Sequence, residues 1–280
     1  MVAQQFGAYP KQDLKIEDLK NFLDCESGQK LEHLQLEGNH GDPIYYSNLF
    51  ALIETFRSKK FTLVTNGSYQ TEEFWRGLAE RLTDRDWVIF SVDGLEHNNH
   101  LYRRNSDWTS MMMGIDIISK SAANLGWKTI IFDYNYKELD QIQKLAESKG
   151  ARFVAQHTSR FGDPALKPPD HLVDQTREYT EQTDLVEQIQ PQCANWAKEY
   201  VSADGYYWPC CWISTAFTLP KSKIWQQRSD WKIQGQTLDQ MRARLNAWTE
   251  EIKTHPTDSD VVCKMMCKSG NMPLLNHGLT

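Results

Sequence analysis

The chain has 280 residues, 40% of them apolar, and a formal net charge of -6. That length is long for one domain and short for two full-sized ones, and the apolar content suffices for a sizeable core. The acidic balance and the lack of a long basic run exclude backbone-driven nucleic-acid binding, and no stretch reaches the ~20 apolar residues that span a bilayer.

From the N-terminus, Met1 to Phe6 shows no basic region followed by an apolar one, so no secretory signal is read there. The expected location is the cytoplasm, a reducing compartment where grouped cysteines bind metal more often than they pair. Residues 13–24 read as a helix with Ile16, Leu19, Phe22 and Leu23 on one face, and 31–37 as a short strand. The loop from Gly38 to Pro43 follows, and Ser47 is the expected cap of a helix bearing Leu49, Leu52, Ile53 and Phe56. A strand over 61–64 leads into Thr65-Asn66-Gly67-Ser68, and Thr71 caps the next helix. A strand over 87–90 leads into Ser91-Val92-Asp93-Gly94. A helix over 108–125 is expected to stop at Gly126, before a strand over 129–132. A helix with Leu139, Ile142, Leu145 and Ala146 and a strand over 152–155 complete a series of five strands with a helix between each successive pair. Such alternation predicts parallel strands with crossover helices, and the polar loops fall at the strand C-terminal ends, where barrel-type folds place their sites.

Pro164, Pro168 and Pro169 break this pattern, and the polar stretch through Gln188 reads as a linker. The expected organisation is a partial barrel over 1–162, a linker over 163–190 and a small cysteine-rich α+β domain over 191–280. Within this small domain, short strands over 200–202 and 206–208 flank the turn Ala203-Asp204-Gly205. A helix from 238 carries a capping box of Thr237 and Gln240.

Five of the six cysteines lie in the last third: Cys193, Cys210, Cys211, Cys263 and Cys267. Cys193 and Cys210 flank the hairpin, and Cys263 and Cys267, at i and i+4, can present both sulfurs to one side. Two such pairs make one four-ligand site for an iron–sulfur cube or for zinc; buried thiols acting as small hydrophobes are the plainer alternative. Adjacent Cys210 and Cys211 point different ways, so one of the two serves. None of the eight histidines shows a ligand spacing, and His97 and His100 read as polar loop residues.

The order of these motifs resembles the radical S-adenosylmethionine (SAM) enzymes with a C-terminal SPASM or twitch-type auxiliary domain. Cys193, Gly205 and Cys210 match the opening of that domain's pattern, and Cys263 and Cys267 resemble its closing ligands. The resemblance implies an α/β fold, strands two to six of a (β/α)6 partial barrel, with one auxiliary [4Fe–4S] cluster on Cys193, Cys210, Cys263 and Cys267. It also implies a SAM site. Gly41, Asp42 and Pro43 stand where the family has Gly-Gly-Glu-Pro, with His40 replacing a glycine and Asp42 the glutamate. Asn66, Ser91 and Asp93 stand in the next two strand-end loops, and Arg103 matches an arginine suited to the methionine carboxylate.

The family's CxxxCxxC motif, whose three cysteines hold the SAM-binding cluster, is absent, and Cys25 alone cannot replace it. The expectation is a truncated, split or degenerate member that does not cleave SAM unless missing sequence or a partner supplies that cluster. The resemblance implies oxidoreductase or maturase chemistry on a peptide or protein; the other reading is a non-catalytic scaffold module. The exposed 31–37 edge is expected either to leave the chain poorly soluble alone or to pair with a partner chain completing the barrel.

Overall fold

A computed structural model describes residues 12–38, 41–157, 166–170, 188–191, 193, 198–210, 213–214 and 222–267. Their contacts divide into two compact units, one from described residues of Glu32–Glu178, the other from those of Met1–Leu31 and Tyr179–Asn276.

The first unit is a five-stranded, wholly parallel sheet in the order β1 (His33–Leu36), β2 (Lys60–Thr65), β3 (Trp87–Ser91), β4 (Asn124–Ile130) and β5 (Arg152–Gln156). Between them run α3 (Leu49–Thr55), α4 (Glu72–Arg81), α5 (Trp108–Ile118) and α6 (Leu139–Ser148). The two-residue alternation of the strands sorts their side chains. Phe61, Leu63, Val88, Phe90, Leu125 and Trp127 fall on one face by register and are buried. That face meets the helices: the Phe90 ring lies 5.3 Å from Trp75 of α4. Thr62, Ile89, Ser91 and Lys128 fall on the other face.

The expected caps of α4 and of the helix from 238 are present. Thr71 Oγ1 accepts from Phe74 N, and Thr237 and Gln240 exchange both bonds of a capping box. Asn48, not Ser47, occupies the cap position of α3 and makes no side-chain cap bond. The largest departure lies between α5 and β4. The helix ends at Ile118, and Gly126 sits inside the strand rather than at a helix stop. Its place is steric, since a Cβ there would lie 3.0 Å from Ile89 on the neighbouring strand.

The second unit holds α1 (Ile16–Phe22), α2 (Glu26–Lys30), the antiparallel hairpin β6 (Tyr200–Val201) and β7 (Tyr207–Trp208), α7 (Lys223–Gln226), α8 (Leu238–Thr254) and α9 (Val261–Met266). Residues 12–31 thus group here, whereas the sequence reading assigns them to the barrel. The reason is aromatic packing and a polar staple. The Phe22 ring lies 6.2 Å from Tyr207, and the Asp239 carboxylate of α8 accepts hydrogen bonds from Ser27 and Cys25, which hold it below the usual carboxylate range. Among the described residues no helix is long and apolar enough to cross a membrane.

Candidate functional site: the strand-end loops and the cysteine cluster

Three loops at the C-terminal ends of β1, β2 and β3 are knit together by their own polar side chains. Asp42 opens a 3-10 turn over Pro43–Tyr45, accepting from Ile44 N at 3.2 Å, while its other oxygen accepts from Asn66 N at 2.7 Å. Burial raises the Asp42 carboxyl above its ordinary range. Hydrogen bonds from Asn66, Thr65 and Ile44 and the charge of Arg103 oppose that without cancelling it. Asn66 in turn accepts from Ser68 N at 2.9 Å, and Gly67 takes φ of +72°, where a Cβ would meet the Phe90 ring at 2.7 Å. Gly38 is equally constrained, since a Cβ there would overlap the carbonyl oxygen of Gly41; Gly41 itself faces open space. Residues 39 and 40, including the His40 substitution, lie outside the described residues.

Asp93 is fully buried, and both its oxygens are engaged, one by Ile130 N at 2.6 Å and the other by Arg103 Nε at 2.5 Å. Its backbone is gripped as well: its N–H donates to Asn99, and its carbonyl accepts from Tyr134 and Asn135. This carboxylate therefore holds the arginine and is closed to direct contact with a ligand. Arg103 keeps a quarter of its side chain exposed and lies over the Tyr102 ring at 5.0 Å. Its Nε is committed to Asp93, and no described group is bonded to its two terminal nitrogens, the fork that grips a carboxylate. Burial, then the Asp93 charge, pushes the Tyr134 phenol far above its ordinary value, so it remains a donor. Ser91 is buried at the end of β3, in register with Lys128.

The sequence reading brought Asp42, Asn66, Asp93 and Arg103 to one end of the sheet but missed Thr65, Asn99, Tyr134 and Asn135, which hold them. The signal for Asn99 was present in the Asn98-Asn99 pair after Asp93-Gly94, since short amides in loops commonly bond nearby backbone.

In the other unit, α9 carries Cys263, and Cys267 caps its end, with the Cys267 amide donating to the Cys263 carbonyl. Asp260 starts this helix, accepting from Val262 N on one oxygen and from Ser222 Oγ on the other, which ties α7 to α9. Gln190 N donates to the Cys267 carbonyl and joins the segment leading to Cys193. Cys193 and Cys263 are buried, Cys210 and Cys267 are half-buried, and the five described cysteines carry no disulfide; Cys211 lies outside the described residues. Burial pushes the Cys263 thiol well up, and the charges of Cys210, Asp260, Cys267 and Cys193 push it further. All three partner cysteines therefore lie within electrostatic reach of Cys263. Four thiols in one neighbourhood fit a thiolate-held group in kind. Among the described residues, however, no three ligating side chains are drawn together to metal-holding distances.

No protein-family model matches the chain, and no curated protein matches it. Solved structures do. Against Streptococcus suis SuiB bound to precursor peptide SuiA the identity is 13% and the TM-score 0.58, over 92% of this chain and 64% of that one. Against SuiB bound to S-adenosylmethionine the values are 13% and 0.52, over 71% and 53%. Against anSMEcpe with bound AdoMet and the Cp18Cys peptide they are 14% and 0.55, over 88% and 76%. The chain spans less than two thirds of the SuiB chain's own length. At such identities the likeness shows the fold alone: five parallel strands in an open α/β sheet, resembling the partial barrel of radical SAM enzymes.

Proposed function

We propose that this chain binds SAM at the strand-end loops and holds one thiolate-bound [4Fe–4S] group on Cys193, Cys210, Cys263 and Cys267, as a radical SAM-type protein acting on a peptide or protein. The observation that carries the reading is Arg103, fixed by a fully buried Asp93 with its terminal nitrogens left for an anion, beside an Asp42 carboxylate within its electrostatic reach. Arg103 takes the methionine carboxylate, and the remaining lone pairs of Asp42 take the amino group, as carboxylate oxygens accept more than one bond. Asn66, Gly41 and Pro43 set the loop around that group, and Ser91 lines the end of β3. The peptide class is supported by two neighbours solved with peptides, SuiB with SuiA and anSMEcpe with Cp18Cys.

When bound, the thiolate-held group supplies one-electron chemistry. This chain's contribution is the ligand set, with Asp260 fixing the start of α9, the helix that carries Cys263 and ends at Cys267. The sequence contains no CxxxCxxC, so by itself this chain binds SAM without cleaving it.

The test is anaerobic reconstitution of the full chain with ferrous iron and sulfide. Expected are about four irons per chain and a brown protein absorbing near ~400 nm, lost in Cys263→Ser. Calorimetry should show SAM binding that weakens in Arg103→Ala, and reduction should yield no 5′-deoxyadenosine. Formation of 5′-deoxyadenosine would overturn the no-cleavage reading. A colourless protein with one zinc would overturn the cluster and favour a scaffold module.

A further inference from the structure

The helix layer carries an apolar surface that the sheet does not use. Along α5, Met111, Gly114, Ile115 and Ile118 are buried. Met113 and Ile117 stand at i and i+4 on the side turned away from them, and both are half-buried. Asp116 is the one charged residue in this helix of eleven. A helix that is apolar on two sides calls for cover on both. Beside it, Glu72, Arg76, Ala79 and Glu80 share one face of α4 by their spacing. Between the two helices lies a groove of about 600 Å³ whose apolar lining is Ala79, Met113 and Ile117. The small Ala79 lets another surface approach closely, and methionine adapts to what packs on it.

The charges on the two walls say what that surface fits. Arg76 is paired with Glu72 of its own helix at 2.5 Å, and Asp116 with Lys149 at 2.6 Å. That leaves Glu80 on the α4 wall and Lys120, two residues past the end of α5, on the other. Both are exposed, and among the described residues neither side chain has a hydrogen bond or an ion pair. The groove thus holds one uncommitted charge of each sign on opposite walls, with an apolar strip between them. Such a surface complements itself. Helices joining successive parallel strands run in the same direction, so Glu80 and Lys120, each near the C-terminal end of its helix, lie at the same end of the groove. A two-fold axis normal to the helix layer, passing between the walls at that end, sets Glu80 of each copy over Lys120 of the other. The same rotation lays Ala79 and Ile117 of one copy on those of the other, with Met113 beside them.

We propose that the α4–α5 groove is a two-fold interface between copies of this chain, closed by reciprocal Glu80–Lys120 pairs around Ala79, Met113 and Ile117. The apolar strip supplies the affinity, and the charge pairs at its rim set the register. Two solvent-exposed pairs and one short strip make a weak dimer, with a dissociation constant in the micromolar range. The proposal does not depend on SAM or cluster chemistry, so its outcome and that of the proposed function are read separately.

The experiment is sedimentation velocity on the full chain, without SAM or iron, from about 1 to about 200 μM. Expected is a monomer–dimer equilibrium that raised salt weakens. Glu80→Lys sets like charges against Lys120 of the other copy, and Lys120→Glu does the same against Glu80. Each should weaken dimerisation by about tenfold or more. Met113→Lys, which puts a charge in the apolar strip, should weaken it by as much. The deciding sample is a mixture of the two single charge variants. There both pairs are attractive again with their signs exchanged, so heterodimers should form with wild-type affinity. No pairing within one chain gives that rescue, and a misfolded variant could not give it either. A wild type that stays monomeric throughout overturns the proposal, as does a dimer indifferent to both charge variants. Single variants that lose the dimer and form no heterodimer would overturn the reciprocal pairing. Assembly that keeps growing past two copies would mean a head-to-tail contact and would overturn it too.

Discussion

Arg103 illustrates how one side chain acquires a role from another that no ligand touches. Its Nε is spent on Asp93, which fixes the guanidinium and leaves its terminal nitrogens as the fork for a ligand in the proposed site. Lysine would keep the charge and lose the fork. Arg103→Lys should therefore fold and bind SAM about tenfold more weakly by calorimetry, a loss of about 1.4 kcal/mol. Asp42 makes a second prediction at this scale, with a definite sign. Burial raises its carboxyl pKa in the folded chain, so the folded state takes up a proton more readily than the unfolded one. Above that pKa the buried charge costs stability, and as pH falls through it towards the unfolded value near ~3.9 the cost disappears. Ligand binding runs the other way, since an amino group needs the ionised carboxylate. SAM affinity should drop on acidification, starting above the ordinary carboxylate range, and Asp42→Asn should remove that pH dependence from both readouts. None of this pairing was legible in the sequence. Asp93 and Arg103 could each be picked out by position, but that one is buried to hold the other depends on Ile130 of β4 and Asn135 of the loop after it, far along the chain, as well as on Asn99 in their own loop.

At the scale of elements, the strand series was legible because each strand is an apolar run followed by a polar loop, a pattern that burial on the helix-facing side enforces. The α5–β4 boundary was not, because Leu125 and Trp127 continue the apolar content past the true helix end and Gly126 looks like a stop. Only the close approach of Ile89 shows why a glycine sits in a strand. The helix layer has its own tight contact. A Cβ on Gly114 of α5 would lie 2.5 Å from the Trp75 ring, which is itself fully buried. Gly114→Ala should cost about 1–3 kcal/mol by overpacking in urea unfolding, despite alanine's better helix propensity. At the opposite end of the sheet Asp86 is fully buried and accepts from Phe61 N, Thr83 N, Thr83 Oγ1 and Arg57. Burial would raise its carboxyl, but these hydrogen bonds outweigh it and hold it below the usual range. Its stabilisation is thus present above pH ~4 and lost as pH falls through the depressed folded value. Asp86→Asn should destabilise the chain by about 1–3 kcal/mol at neutral pH, because a neutral amide is a weaker acceptor for the buried donors of Phe61 and Thr83, and should flatten the acid limb of the stability profile.

For the whole molecule, the two units divide the proposed chemistry: the loops proposed for SAM lie in the sheet unit, and the four cysteines proposed for the cluster lie in the other. The tryptophans divide in the same way, which gives a test that reports on each unit. Trp208, Trp225, Trp231 and Trp248 lie with the cysteines, and Trp208 is two residues from Cys210 and stacked on Trp225 at 5.7 Å. Trp75, Trp87, Trp108 and Trp127 lie in the sheet unit. An iron–sulfur group absorbing near ~400 nm takes up tryptophan emission over short range, whereas zinc does not absorb there. Loading the chain with iron and sulfide should therefore quench its fluorescence partially, and Trp208→Phe should shrink the quenched share. Cys263→Ser should keep the full emission under the same treatment. SAM added to the loaded chain should leave the quenched share unchanged, because its proposed ligands stand in the unit without the cysteines. Uniform quenching that survives Cys263→Ser would mean that iron binds outside the four-cysteine site and would remove the basis for placing the cluster there.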